Sequence, residues 1–215
     1  MRGVYLVTDR GLCRNRTLQD VVLQAIQGGV AYVQLREKEL STRDFVEEAV
    51  AVKKLLAPRQ VPLIINDRID VALACGADGI HIGQEDMPYA TARRLLGEKA
   101  IIGLSVETWT DVEAAESLAV AYIGVSPVFA TPTKTDTKEP WGLEGLKRIK
   151  SFSHHPLVAI GGINETNARD VVAAGADCLA VVSAICSAPD PVAATINLKN
   201  MIDYALKEKN SRIQQ

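Results

Sequence analysis

The chain has 215 residues, 47% hydrophobic, 23% charged and only 5% aromatic, so its core must be built from aliphatic side chains. A net charge of −2 provides no basic field for nucleic acid, and no run approaches the roughly 20 apolar residues of a membrane span. Cys13, Cys75, Cys178 and Cys186 form neither a CxxC pair nor a zinc-type spacing with the three histidines, which fits free thiols in a reducing cytosol.

The first apolar run, residues 4–8, reads as a strand; Asp9-Arg10 ends it too early for an export signal, and a cytoplasmic location is expected. Thr17-x-x-Asp20 has the form of a capping box and opens a helix. GGVAYVQL (28–35) is a turn followed by a second strand. Ser41-x-x-Asp44 repeats the capping signal, and Phe45, Val46, Ala49, Val50, Val52 and Leu56 follow on helical spacing. Leu63-Ile64-Ile65 is a third strand, ending at Asn66-Asp67; residues 69–74 fit a short helix, and CGADGIHI (75–82) turns into a fourth strand followed by Gln84-Glu85-Asp86. Residues 101–105 form a fifth strand, Thr110-x-x-Glu113 offers a third capping box, and LAVAYIGV (118–125) leads into a sixth strand. A polar loop follows at 131–138, then a seventh strand at 157–160 and an eighth in AGADCLAV (174–181). Asp190-Pro191 opens the last helix, with Asp as cap and Pro at the first helical position. Residues 207–215 are polar and are expected to fray as a tail to one domain spanning 1–206.

Eight strand–helix units without a linker predict an α/β fold of the (β/α)8 TIM-barrel type. A doubly wound open sheet is the competitor, but no GxGxxG follows the first strand and the quasi-repeats run through the whole chain. In such barrels the active site lies at the carboxyl ends of the strands. The residues expected there include Arg36-Glu37-Lys38, Asn66-Asp67, Gln84-Glu85-Asp86, Ser105, the 131–138 loop, Gly161-Gly162 and Ser183.

A helical crossover makes the third and fourth strands parallel, so Asp67 and Asp86 emerge on one face from strands about 5 Å apart. Two carboxylates so placed can share a hard cation such as Mg2+; either one alone could equally cap a helix. Arg36 and Lys38 suit a phosphate group, or a solvated rim with Arg36 paired to Glu37 or Asp67. Gly161-Gly162 and Val182-Ser183 follow strands seven and eight, where barrels often hold a phosphate on backbone amides. The 131–138 loop is long enough to be a lid. His81 lies within a strand and is expected as a core or supporting residue. His154-His155 precede strand seven at the opposite end and are expected to be exposed.

The pieces VYLVTDR (4–10), VQLREK (33–38), INDRIDVALACGADGIHIGQEDMP (65–88), IIGLSV (101–106), YIGVSPVFATPTKTD (122–136), AIGGI (159–163) and AVVSAI (180–185) resemble the thiamine phosphate synthase family, in its order. The resemblance implies condensation of 4-amino-2-methyl-5-(hydroxymethyl)pyrimidine diphosphate with thiazole phosphate, giving thiamine phosphate and pyrophosphate. It implies a pyrimidine diphosphate site at Gln34, Leu35, Arg36, Glu37, Lys38 and Asn66, with Ser105 on the pyrimidine and Asp67 and Asp86 on Mg2+. It implies a thiazole phosphate site at Thr131, Pro132, Thr133, Gly162, Val182 and Ser183, with Lys134 on the leaving pyrophosphate. Arg36, Lys38, Ser105 and Lys134 would carry the reaction. Where the family usually has Ile before the last serine, this chain has Val182.

Such a reaction needs no general base, because the thiazole nitrogen is already a nucleophile; it needs departing negative charge to be neutralised. A tautomerase-like relative would need neither the metal nor the diphosphate contacts. A non-catalytic phosphate sensor on the same fold and a phosphosugar isomerase are further alternatives, the latter having only His81 as a candidate acid–base group. The expected partners are small-molecule substrates, with homo-oligomerisation left open.

Overall fold

The computed structural model describes residues 1–131 and 138–213. Eight parallel strands close into one barrel in sequential order, surrounded by helices. They are β1 (Gly3–Val7), β2 (Tyr32–Leu35), β3 (Leu63–Asn66), β4 (Gly79–Ile82), β5 (Ile101–Val106), β6 (Tyr122–Val125), β7 (Leu157–Ala159) and β8 (Cys178–Val181). The helices are α1 (Leu18–Gln27), α2 (Thr42–Leu56), α3 (Ile69–Cys75), α4 (Tyr89–Leu96), α5 (Trp109–Ala115), α6 (Gly142–Phe152), α7 (Ala168–Ala173), α8 (Ser183–Cys186) and α9 (Pro191–Ile213).

The caps explain where the helices begin. Thr17 and Asp20 close a reciprocal capping box on α1, Ser41 accepts from the Asp44 amide at α2, and Asp190 Oδ1 accepts from the Ala193 amide at α9. The third box differs from expectation. Thr108 and Asp111 cap α5, two residues before the expected Thr110 and Glu113. Asp111 Oδ2 there also accepts from the Glu107 amide, and Glu113 instead accepts the Trp109 indole N–H at 2.7 Å. The last helix continues through Ile213, into the segment expected as a tail, with Arg169 on Glu208 at 2.6 Å.

Two apolar layers form the core. The larger lies between the outer face of the barrel and its helices, and includes Leu6, Val33, Leu35, Ile65, Ile80, Ile102, Ile123 and Leu179. The smaller fills the barrel interior and includes Tyr5, Val7, Ile64, Tyr122, Val158, Cys178 and Ala180. Alternation along each strand sends one set inward and the other outward. Gly103 makes room for Tyr122: a Cβ there would lie 2.0 Å from the tyrosine Cζ.

The repeated Gly-Ala-Asp turns have one structural job. Asp78 accepts from the Leu63 amide at 2.7 Å and pairs with Lys53 at 2.5 Å. Asp177 accepts from the Leu157 amide at 2.8 Å and pairs with Lys150 at 2.7 Å. Each aspartate ties the start of the preceding strand to a lysine on the helix before that strand, at the amino end of the barrel.

Candidate active site

A cavity of about 610 Å3 opens at the carboxyl ends of the strands. Of the sequence-predicted residues, Gln34, Arg36, Lys38, Asn66, Asp67, Asp86, Ser105, Thr131, Gly162, Val182 and Ser183 line it. Leu35 and Glu37 do not. Leu35 is fully buried in the layer under the helices, and Glu37 pairs with Arg10 at 3.3 Å. Arg10 also holds Glu48, so Glu37 belongs to a small ion cluster behind β2. Pro132, Thr133 and Lys134 lie outside the described residues.

Arg36 and Lys38 sit just beyond β2. The Arg36 amide donates to Thr8 Oγ1 at 3.0 Å, which anchors the backbone, and no described residue forms an ion pair with its guanidinium. Lys38 Nζ lies 2.6 Å from Asp67 Oδ2. Neither pairing of Arg36 with Glu37 nor with Asp67 is formed among the described residues.

Asp67 has a positive φ of 61°, a conformation that aspartate tolerates better than most residues. Its amide donates to His81 O at 2.9 Å, which carries β3 one step further along β4 and aims the carboxylate into the cavity. Asp86 Oδ2 accepts from the Gly83 amide at 2.7 Å, closing the turn after β4. Neither aspartate caps a helix: Arg68 stands at the cap of α3 and Pro88 at that of α4. Burial pushes the Asp86 carboxyl above the ordinary carboxylate range, and the facing Asp67 carboxylate adds to this, against the Gly83 amide and the Lys38 ammonium. Glu85, Glu107 and Asp111 line the same cavity. An oxygen-rich, electronegative wall of this kind fits a hard divalent cation.

Below this wall, a polar chain crosses the barrel. Gln34 Nε2 donates to Tyr5 Oη at 3.1 Å, Tyr5 Oη meets Tyr122 Oη at 2.9 Å, and Tyr122 Oη meets His81 Nδ1 at 3.0 Å. His81 Nε2 then meets Ser105 Oγ at 2.8 Å. The His81 ring stacks on Tyr122, centroids 5.5 Å apart. Burial raises both tyrosine pKa values, so they stay neutral donors. Two residues at the floor of the cavity, Gln34 and Ser105, are thus oriented by one network. The sequence reading named His81 as a supporting residue but missed Tyr5 and Tyr122. Two tyrosines in a chain so poor in aromatics, each inside a strand, were the available signal.

On the opposite wall, Gly161 and Gly162 follow β7 with φ of 103° and 65°. A Cβ on Gly162 would lie 2.8 Å from Phe129 Cβ and 2.9 Å from Ala130 O, so the loop after β6 packs directly on this backbone. Asn167 Nδ2 donates to Gly162 O at 2.9 Å and holds the turn. Val182 and Ser183 open the short α8 beside it. Ser126 and Lys138, from the segment expected at this rim after strand six, also line the cavity, as does Thr108, which was not anticipated there.

A family model described as thiamine monophosphate synthase matches residues 4–185. A thiamine-phosphate synthase from Albidiferax ferrireducens is 61% identical over 200 residues, covering 93% of this chain and 91% of the relative. One from Leptospira biflexa is 55% identical over 204 residues, covering 93% and 97%. Among solved structures, a thiamine phosphate pyrophosphorylase from Pyrococcus furiosus superposes with a TM-score of 0.86 at 36% identity, covering 95% of this chain and 96% of that one.

Proposed function

Because the chain belongs to the thiamine monophosphate synthase family, as a transferase that makes thiamine phosphate and releases pyrophosphate, we propose that the cavity at the carboxyl ends of the strands carries this reaction. Its substrates are the aminopyrimidine diphosphate and thiazole phosphate. The observation that carries the reading is the meeting of Asp67, Asp86 and Lys38 at one wall, beside an Arg36 guanidinium with no ion-pair partner among the described residues. Two facing carboxylates repel a diphosphate, and a divalent cation between them would remove that repulsion beyond what Lys38 offsets.

Asp67 and Asp86 are the proposed ligands of that cation, Mg2+ in this reading. When bound, it would supply a Lewis acid to the departing diphosphate. Arg36 gives that group a planar fork of donors, and Lys38 a point charge. Lys134, outside the described residues, is assigned to the same leaving group on the family resemblance. Ser105, its hydroxyl oriented by His81, positions the pyrimidine ring, and Gln34, held by Tyr5, positions the same ring from across the cavity floor. Asn66 completes that side. The thiazole phosphate takes the other wall, on the Gly162 and Ser183 amides with Val182 and Thr131, joined by Thr133 and Pro132 on the resemblance.

As the bond to the methylene breaks, negative charge grows on the diphosphate and Arg36 and Lys38 stabilise it. The electron-rich aminopyrimidine spreads the positive charge. The thiazole nitrogen, held opposite, adds to the methylene without losing a proton, so no general base is needed. The test is incubation of the purified protein with both substrates, with and without Mg2+, followed by detection of thiamine phosphate and pyrophosphate. Product only with Mg2+, and its loss in Asp67→Asn, is expected; turnover in chelator would overturn the metal assignment.

A further inference from the structure

We propose that Glu116, His154 and His155 form a second metal site, at the amino end of the barrel, for a borderline divalent cation such as Zn2+. One ligand atom from each lies within 4.8 Å of the others. Glu116 follows α5, and the histidines lie in the connection from α6 to β7, so a cation there would clip two successive units together.

The details favour ligation over a chance cluster. His155, expected to be exposed, is only 5% exposed. Its Nε2 lies 3.0 Å from Ala115 O. A carbonyl only accepts, so Nε2 donates to it, and Nδ1 is the ring nitrogen left for a cation. Metal-bound histidines use this division, with one ring nitrogen on a backbone carbonyl and the other on the ion. The His154 ring lies beside it, centroids 4.0 Å apart. His154 Nδ1 already contacts Glu116 Oε2, and the Ser153 hydroxyl donates to Glu116 Oε1 at 2.5 Å, which orients the carboxylate.

Two imidazoles and one carboxylate are the ligand types of zinc, at about 2.0–2.2 Å, with a fourth position for water. A cavity of about 460 Å3 is lined by both histidines, though not by Glu116, and gives an ion a route to the two imidazoles. Of the cationic residues in this cavity, Lys150 is paired with Asp177 at 2.7 Å, while Arg2 and the chain's first residue, Met1, also line it. His154 is largely exposed and can swing to admit the ion. Nitrogen ligands separate this site chemically from the all-oxygen pair at Asp67 and Asp86. Its position, at the end of the barrel away from the reaction cavity, makes its role structural.

The experiment uses the untagged full chain with Asp67→Asn and Asp86→Asn, which silence the other pair. Calorimetric titration with Zn2+ should give one equivalent, and Co2+ should give the visible absorption of a nitrogen- and oxygen-ligated ion. Adding His154→Ala or Glu116→Gln should weaken binding by at least about tenfold and abolish the Zn2+-dependent rise in Tm. In the otherwise native chain, His154→Ala should leave Mg2+-dependent turnover unchanged. Absence of a Zn2+ equivalent in the silenced background, or equal affinity after His154→Ala, would overturn the proposal.

Discussion

Lys38 Nζ stands 2.6 Å from Asp67 Oδ2, on the carboxylate that also faces Asp86. The lysine therefore stands in for part of the charge that a cation would neutralise. With the lysine 54% and the aspartate 22% exposed, the pair is worth about 0.2–1 kcal/mol. Lys38→Met should then tighten Mg2+ binding by about two- to fivefold in the absence of substrate. The same change should lower kcat with the diphosphate. Metal titration and steady-state kinetics on one variant would separate the two effects; weaker metal binding would mean that Lys38 orients Asp67 rather than competing with the ion.

Asp67 also shows which substitution is informative. At φ 61°, an alanine would add backbone strain of about 1–2 kcal/mol, whereas asparagine accepts this conformation. Asp67→Asn should keep the Tm near that of the native chain while lowering kcat/KM on the order of 10²-fold, the several kcal/mol expected of a lost metal ligand. A matching collapse of Tm would assign the residue to the fold.

Acid should loosen the metal through Asp86. Its pKa is raised, so the folded protein holds this proton more tightly than the unfolded chain does. The protonated carboxyl ligates poorly, so the Mg2+ concentration needed for half-maximal rate should climb as pH falls through the raised value, and saturating Mg2+ should push the acid limb of the rate profile lower. Without metal the sign reverses for stability: this carboxyl contributes most below the ordinary carboxylate pKa, and the contribution is lost as pH rises through its folded value. Asp86→Asn should remove that dependence from the apo-protein's Tm. An unchanged pH–Tm curve would refute the linkage.

Tyr122→Phe should test the polar chain across the barrel. It removes a fully buried hydroxyl that meets both Tyr5 and His81, leaving their polar atoms short of a partner. The expected cost is about 1–3 kcal/mol in chemical denaturation. Turnover should fall as well, because His81 loses the contact that holds its ring toward Ser105. His81→Asn in the same assay should lower turnover too. Full activity in both variants would limit the network to stability.

Gly162→Ala should raise KM for thiazole phosphate more than KM for the diphosphate. The new methyl would meet Phe129 and Ala130 and would also carry the left-handed backbone, worth about 1–2 kcal/mol. Equal increases in both constants would indicate a distorted barrel rather than a lost anion contact.

The sequence by itself determined the barrel and its functional end. Short aliphatic runs alternating with capped helical segments read locally, and right-handed crossovers leave parallel strands with their carboxyl ends together. Asp67, Asp86, Arg36, Lys38 and Gly162 could therefore be assigned to one rim from position alone. Only the tertiary structure decided which neighbours face inward. Gln34 and Arg36 line the cavity while Leu35 and Glu37 turn outward, to the helices and to Arg10, because side chains alternate across the sheet. The start of α5 just after Thr108 followed from Asp111 reaching back to the Glu107 and Thr108 amides. Tyr5 and Tyr122 stand 117 residues apart and meet only when the barrel closes. The histidines before β7 gain their carboxylate from α5 in the same way. Pairings of this kind depend on strand register, which no local window of sequence contains.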